Sequence, residues 1–174
     1  MRSESAIVGA SVCAAILRTD DSEVTPFAPG GFITKIMVAV PGAPEEVYDW
    51  FTDDIGQWWD HTIWGDQKKL KFEARPGGGF YERLSEEEGA RHAEVITAQR
   101  GKLLRFVGPL GLSGQGIDLT HEMTFEAQGE TTSIQLTVIG NGRVEKGWPE
   151  AIHKTWQHFL VERFLPYAAQ KAAG

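Results

Sequence analysis

Between Leu70 and Ile139 six short β-type runs follow one another with only turn residues between them: Leu70 to Arg75, Phe80 to Leu84, His92 to Ala98, Leu103 to Val107, Leu119 to Ala127 and Thr132 to Ile139. The breaks are Pro76-Gly77-Gly78, Glu86 to Gly89, Arg100-Gly101 and Gln128-Gly129-Glu130. Parallel pairing needs a crossover of about a dozen residues or more, and none is available, so the spacing predicts a meander of antiparallel hairpins. In the last pair Met123, Phe125, Ile134, Leu136 and Val138 alternate with Glu122, Thr124, Glu126, Gln135 and Thr137. Side chains along a strand point to opposite faces in turn, so one face of this sheet must be covered.

The chain supplies that cover at its end. Trp148-Pro149-Glu150 opens a helix predicted to run to about Ala169, with Ile152, Trp156, Phe159, Leu160 and Phe164 at three- and four-residue steps. Pro166 lacks an N–H and crowds the turn before it, which predicts a kink or an end there. Ahead of the meander, Phe32 to Val40 reads as a first strand stopped by Pro41-Gly42. Pro44 suits a helix first turn, Glu45 and Glu46 suit its positive end, and Val47, Trp50 and Phe51 give it an apolar face. Asp53-Asp54 interrupts this helix, and Ile55 to Trp59 can form a further short turn. The predicted class is α+β: residues 31–174 as one domain, and residues 1–30 as an N-terminal extension.

Composition narrows the function classes. The 174 residues are 41% hydrophobic and 24% charged, a globular balance, and six are Trp, which favours large buried surfaces or a pocket wall. The formal charge is -7, and the only short basic cluster is Lys68, Lys69 and Lys71, so neither nucleic acid nor an anionic membrane is an expected partner. With Cys13 as the single cysteine there is no intrachain disulfide and no CxxC zinc site. Ser5 to Leu17 is a small-residue apolar run, too short to span a membrane, and Glu4 spoils the basic start of a signal peptide. The expected location is the cytoplasm, with a periplasmic or secreted protein as the alternative if that segment is a signal.

The order strand, two short helices, six strands, long helix resembles the helix-grip superfamily, also called START-like or SRPBCC. Its members include START lipid-binding domains, proteins of the birch-pollen-allergen type, polyketide cyclases and relatives of the chaperone-ATPase activator. The resemblance spans roughly Phe32 to Tyr167. It rests on Pro41-Gly42-Ala43-Pro44-Glu45-Glu46-Val47-Tyr48, on Trp50-Phe51-Thr52-Asp53 with Trp58-Trp59, and on Arg75-Pro76-Gly77-Gly78-Gly79-Phe80 with Glu82. Gly101-Lys102-Leu103-Leu104 and Gly147-Trp148 complete it; the N-terminal extension and the insertion-like Gly108 to Gly116 depart from it. The resemblance implies a curved sheet gripping one helix around a cavity for a small hydrophobic molecule. It decides little about function, because carriers, allergens, co-chaperones and enzymes share the scaffold.

Among polar residues the leading pair is Glu82 with His92. A hairpin turn centred near Glu87 sets them directly opposite on adjacent strands, where a carboxylate orients an imidazole and the two can act as acid and base. The other reading is a satisfied or ligand-orienting polar pair. His121, in phase with Met123 and Phe125, points inward, as a pocket group or a core residue. Arg105 lies in a run that is apolar on both phases; inward it would bind a carboxylate or carbonyl, outward it would not. Trp58, Trp59, Trp64, Tyr81 and Trp156 are candidates for the pocket wall or mouth, with core packing as the alternative. Phe159, Met123, Phe125, Ile134 and Leu136 are the expected apolar lining. Trp58 and Trp59 are adjacent, and on a helical turn both cannot face inward.

Other motifs fail. Gly111-Leu112-Ser113-Gly114-Gln115 lacks the last glycine and the following helix of a serine-hydrolase elbow. Gly77-Gly78-Gly79 precedes a strand rather than a helix and cannot present helix amides to phosphate. His153 and His158 lie on different helix faces, and no three ligand-type residues share an evident first shell, so neither metal nor other cofactor is expected. The expected function is binding of a small hydrophobic or aromatic ligand by a monomer or homodimer. The alternatives are a cyclase, dehydratase or hydrolase using Glu82 and His92, and a co-chaperone-like interaction domain.

Overall fold

The computed structural model describes residues 28–174, and the N-terminal extension, with the signal alternative attached to it, lies almost wholly outside them. Seven strands form one curved antiparallel sheet: β1 (Gly30–Pro41), β2 (Leu70–Phe72), β3 (Gly79–Arg83), β4 (Gly89–Gln99), β5 (Leu103–Val107), β6 (Ile117–Gln128) and β7 (Thr131–Gly142). Their order is β1-β7-β6-β5-β4-β3-β2, so the meander is intact and the first strand closes back onto the last. The β6–β7 hairpin turns on Gly129-Glu130, pairing Phe125 with Ile134, Met123 with Leu136 and His121 with Val138 on one inward face.

After β1, α1 (Pro44–Thr52) buries Val47, Tyr48 and Phe51, and α2 (Ile55–Trp58) buries Ile55 and Trp58. The β4–β5 turn runs directly beneath the start of α1. A Cβ on Gly101, whose φ is 71°, would meet Glu45 at 2.9 Å, so both the left-handed backbone and the close approach require glycine. The chain ends in α3 (Trp148–Gln157), a π-helical stretch (His158–Phe164) and α4 (Leu165–Ala173), which together make one continuous rod against β1. Pro166 therefore neither ends nor breaks the helix. The wider turn ahead of it takes up the misfit, with the Leu165 N–H donating to Leu160 O, five residues back.

Trp58 and Trp59 correct the expectation that one of them must be exposed: they are 1% and 5% accessible. The helix stops at Trp58, and Trp59 has extended backbone (φ -77°, ψ 119°), so the helical angle between neighbours no longer applies. Among the described residues no helix is long and apolar enough to cross a membrane.

Candidate functional site

Between the inner face of the sheet and the C-terminal rod lies a cavity of about 490 Å³. The sheet contributes Phe80, His92 and Leu119, and the rod contributes Trp148, Ile152, Trp156 and Phe159. Two loops complete it: Trp59 to Ile63 after α2, and Pro109 to Leu112 after β5. Trp59 stacks flat on Phe159, with centroids 3.6 Å apart and planes 17° off parallel, and it lies edge-on to Phe80 and Trp156. These rings fix one wall of an apolar space.

The segment that departs from the superfamily pattern builds the opposite wall. Pro109, Leu110, Gly111 and Leu112 lie against the cavity, and Leu110 has φ 52°, an uncommon and strained angle for a branched apolar residue. Its side chain packs on the core beneath, and Ser113 Oγ donates to its carbonyl at 3.2 Å.

Glu82 and His92 meet, but not as direct cross-strand partners. Glu82 pairs with Ala90, Tyr81 with Arg91 and Phe80 with Ala93, which leaves His92 as the extra residue of a β-bulge. The bulge turns its ring inward, as bulges do when they re-aim a side chain, and Nε2 lies 3.6 Å from Glu82 Oε2. Glu82 is fully buried, and both its oxygens are engaged: Oε2 accepts the Ile63 N–H at 2.7 Å and Oε1 the Trp64 N–H at 2.9 Å. It therefore ties the loop after α2 to β3. His92 faces the cavity while Glu82 stands behind it. Desolvation lowers the His92 pKa, against the opposing pull of Glu82 and the Leu110 backbone, so the ring is held toward its neutral form.

The remaining candidates separate into four groups. Trp59, Trp156 and Phe159 line the cavity. Met123, Phe125, Ile134 and Leu136 share its sheet face but lie in packed core at the other end, where Tyr48 meets Phe125 edge-on at 5.3 Å; their assignment to the lining is corrected. Trp58 is also core, between Phe51 and Phe164, with its indole N–H donating to Trp50 O at 3.2 Å. Three candidates point away: Arg105 pairs with Glu122 across β5 and β6 on the outer face, Tyr81 lies on that face beneath the Arg83 guanidinium, and Trp64 is 43% exposed in its loop. Alternation explains Arg105 and Tyr81, since each is one residue out of phase with an inward neighbour, Phe106 and Phe80 respectively.

His121 is inward and fully buried, stacked on Phe106 at 4.6 Å and 5.3 Å from Trp156, but it sits behind the cavity wall. Neither ring nitrogen has a hydrogen-bond partner. Burial pushes its pKa down to about 3; the Phe106 backbone pulls the other way without making a bond of acceptable geometry. The ring is neutral at ordinary pH.

Sequence reasoning missed Pro109, Leu110, Leu112, Leu119 and the loop His61 to Ile63. Leu119 was within reach, being in phase with His121 and Met123; the loops carry no periodicity that could reveal them. The metal expectation is also corrected in its premise. Asp60, His61 and His158 bring one ligand atom each to within 4.8 Å of one another at the rim of the cavity.

Comparison with known proteins gives the fold its context. Protein CV1439 from Chromobacterium violaceum is 18% identical, with TM-score 0.58, over 78% of this chain and 96% of that one. The Aha1 dimer from Colwellia psychrerythraea is 16% identical, with TM-score 0.53, over 75% of this chain and 92% of that one. DynU16, a protein of the dynemicin biosynthetic locus, is 22% identical, with TM-score 0.53, over 78% of this chain but only 46% of its own length. At such identities the likeness shows a shared fold, the helix grip. No curated protein matches. Residues 42–168 match the family described as Activator of Hsp90 ATPase homolog 1-like protein, and by that match over most of its length the chain belongs to this family.

Proposed function

We propose that the protein binds one small, largely apolar and flat molecule in the cavity between sheet and helix. The observation that carries this reading is the cavity itself. It has about 490 Å³ walled by Trp59, Phe80, Leu119, Ile152, Trp156 and Phe159, with His92 as the inward polar group of the sheet. Apolar walls with few, fixed polar groups are the usual profile of a small-molecule site. A neutral imidazole orients a ligand hydroxyl or carbonyl without the desolvation cost of a buried charge. The test is one-to-one binding of an environment-sensitive aromatic dye with quenching of Trp fluorescence. Ile152→Trp fills the space and should abolish binding while the circular dichroism spectrum is kept. Undiminished binding in that variant places the site elsewhere.

A second reading, an enzyme of the cyclase, dehydratase or hydrolase kind, draws on the same His92. In it the imidazole is the base that touches substrate, and Glu82, whose oxygens are occupied by the loop amides, is a positioning residue. Turnover that falls with His92→Gln while dye affinity survives favours the enzyme; no turnover in the parent protein, with dye affinity lost in His92→Gln, favours the carrier. A co-chaperone role, suggested by the family, predicts partner binding that persists in Ile152→Trp. The similar Aha1 protein is a dimer, so the homodimer is the assembly to look for first.

A further inference from the structure

His158 stands between two carboxylates where the rod passes the loop after α2. Its Nε2 is 2.9 Å from Asp60 Oδ2 and 3.1 Å from Oδ1, and its Nδ1 is 2.8 Å from Glu162 Oε2. His61 Nδ1 lies 2.8 Å from Asp60 Oδ1, and the two imidazole rings are 5.5 Å apart. We infer that Asp60, His61 and His158 form a binding site for a divalent first-row transition ion of the zinc or cobalt class, at the rim of the cavity.

Three features of the cluster support this. Two imidazoles and one carboxylate are a donor set these ions accept with positions left open, and one atom from each residue already lies within 4.8 Å of the others. Glu162 holds His158 through Nδ1, which fixes the ring and leaves Nε2 as the atom offered to an ion. That is the carboxylate–histidine relay usual behind metal-bound histidines. The charge also fits. Arg163 Nε is 3.2 Å from Asp60 Oδ2, but with both histidines neutral, as ligation requires, two carboxylates against one guanidinium leave the cluster negative toward an ion. Ligation needs the histidine nitrogens free of protons, so affinity should grow with pH. His61 also belongs to the cavity wall, edge-on to Phe159 at 4.8 Å, so a bound ion stands beside whatever fills the cavity.

The experiment titrates the metal-free full-length chain with Co²⁺, followed by visible absorption, and with Zn²⁺ by calorimetry. The expected result is one ion per chain, lost in His158→Ala and Asp60→Asn and weakened roughly tenfold or more in Glu162→Gln. His61, whose side chain is 61% exposed, gives a variant safe for folding, and His61→Ala should weaken binding at least as much. Ile152→Trp, which fills the cavity and leaves all three ligand residues in place, should still bind one ion; this separates failure of the metal site from failure of the ligand site. Absence of one-to-one binding in the parent protein overturns the inference. So does binding that survives both His158→Ala and His61→Ala.

Discussion

The two ends of the sheet's inner face are built from the same alternation and end up as opposites. At one end Met123, Phe125, Ile134 and Leu136 are buried in the core, where Phe125 meets Tyr48 of α1 edge-on and Phe51 of α1 meets Phe164 of the rod. At the other, Phe80, His92 and Leu119 face Ile152 and Trp156 across a void. His92 apart, both stretches present apolar side chains. What differs is the second cover: α1 lies over the first, and only two loops border the second. A pocket in this fold is therefore the part of a common apolar face that the helices do not reach, and the loops decide its shape.

That contrast can be broken most directly by equal truncations. Leu136→Ala, in the filled end, should cost about 2–5 kcal/mol, whereas Leu119→Ala should fall at the low end of that range, because its side chain already borders empty space. Denaturant titration of both variants checks this, and equal losses would erase the distinction between packed core and cavity wall.

Glu82→Gln comes next. It keeps one acceptor oxygen but turns an amide group toward a backbone N–H, and hydrogen bonds to charged groups are worth about 1.5–3 kcal/mol. The loss should appear together with faster hydrogen exchange of the Ile63 and Trp64 amides. Stability lost without that change would mean the carboxylate does not tie down the loop.

His121 sharpens the comparison through pH. Its folded pKa of about 3 lies below the ordinary 6.5, so the unfolded chain takes up a proton first. Stability from the neutral ring is complete above 6.5 and declines as pH falls toward 3. His121→Leu should therefore gain relative stability at pH 5, by up to about 2 kcal/mol compared with pH 8. A pH-independent difference between parent and variant would show that the ring is not held neutral.

The smallest effect is expected outside. Arg105→Ala removes a partly exposed pair with Glu122, worth about 0.2–1 kcal/mol, and should leave dye binding untouched. A loss of dye affinity would return Arg105 to the site.

How far the chain could be read follows from these regions. Hairpin spacing, the alternation in β6 and β7 and the stripe from Ile152 to Phe164 are local patterns, and the observed sheet and rod follow them. The meeting of Glu82 with His92 was legible as proximity but not as geometry. A β-bulge shifts register by one residue without marking the sequence, and it made His92 the inward extra residue rather than the direct partner of Glu82. Pro166 was read as a breaker because local sterics forbid it in an α-turn, and a π-turn upstream lifted that restriction.

By itself, then, the sequence determined what must be buried and with what period: one sheet face and one helix stripe, whereas the burial of both Trp58 and Trp59 came from the structure, where a short helix gives way to extended chain. Periodicity is a property of consecutive residues, and burial follows from it. Only the tertiary structure decided which parts of that buried face meet side chains and which meet space. It alone brought Asp60 and His61 to His158 across about a hundred residues of chain, and folded Pro109 to Leu112 over the cavity. Such contacts depend on how separate elements are placed against one another, and no local pattern encodes a distance between residues so far apart.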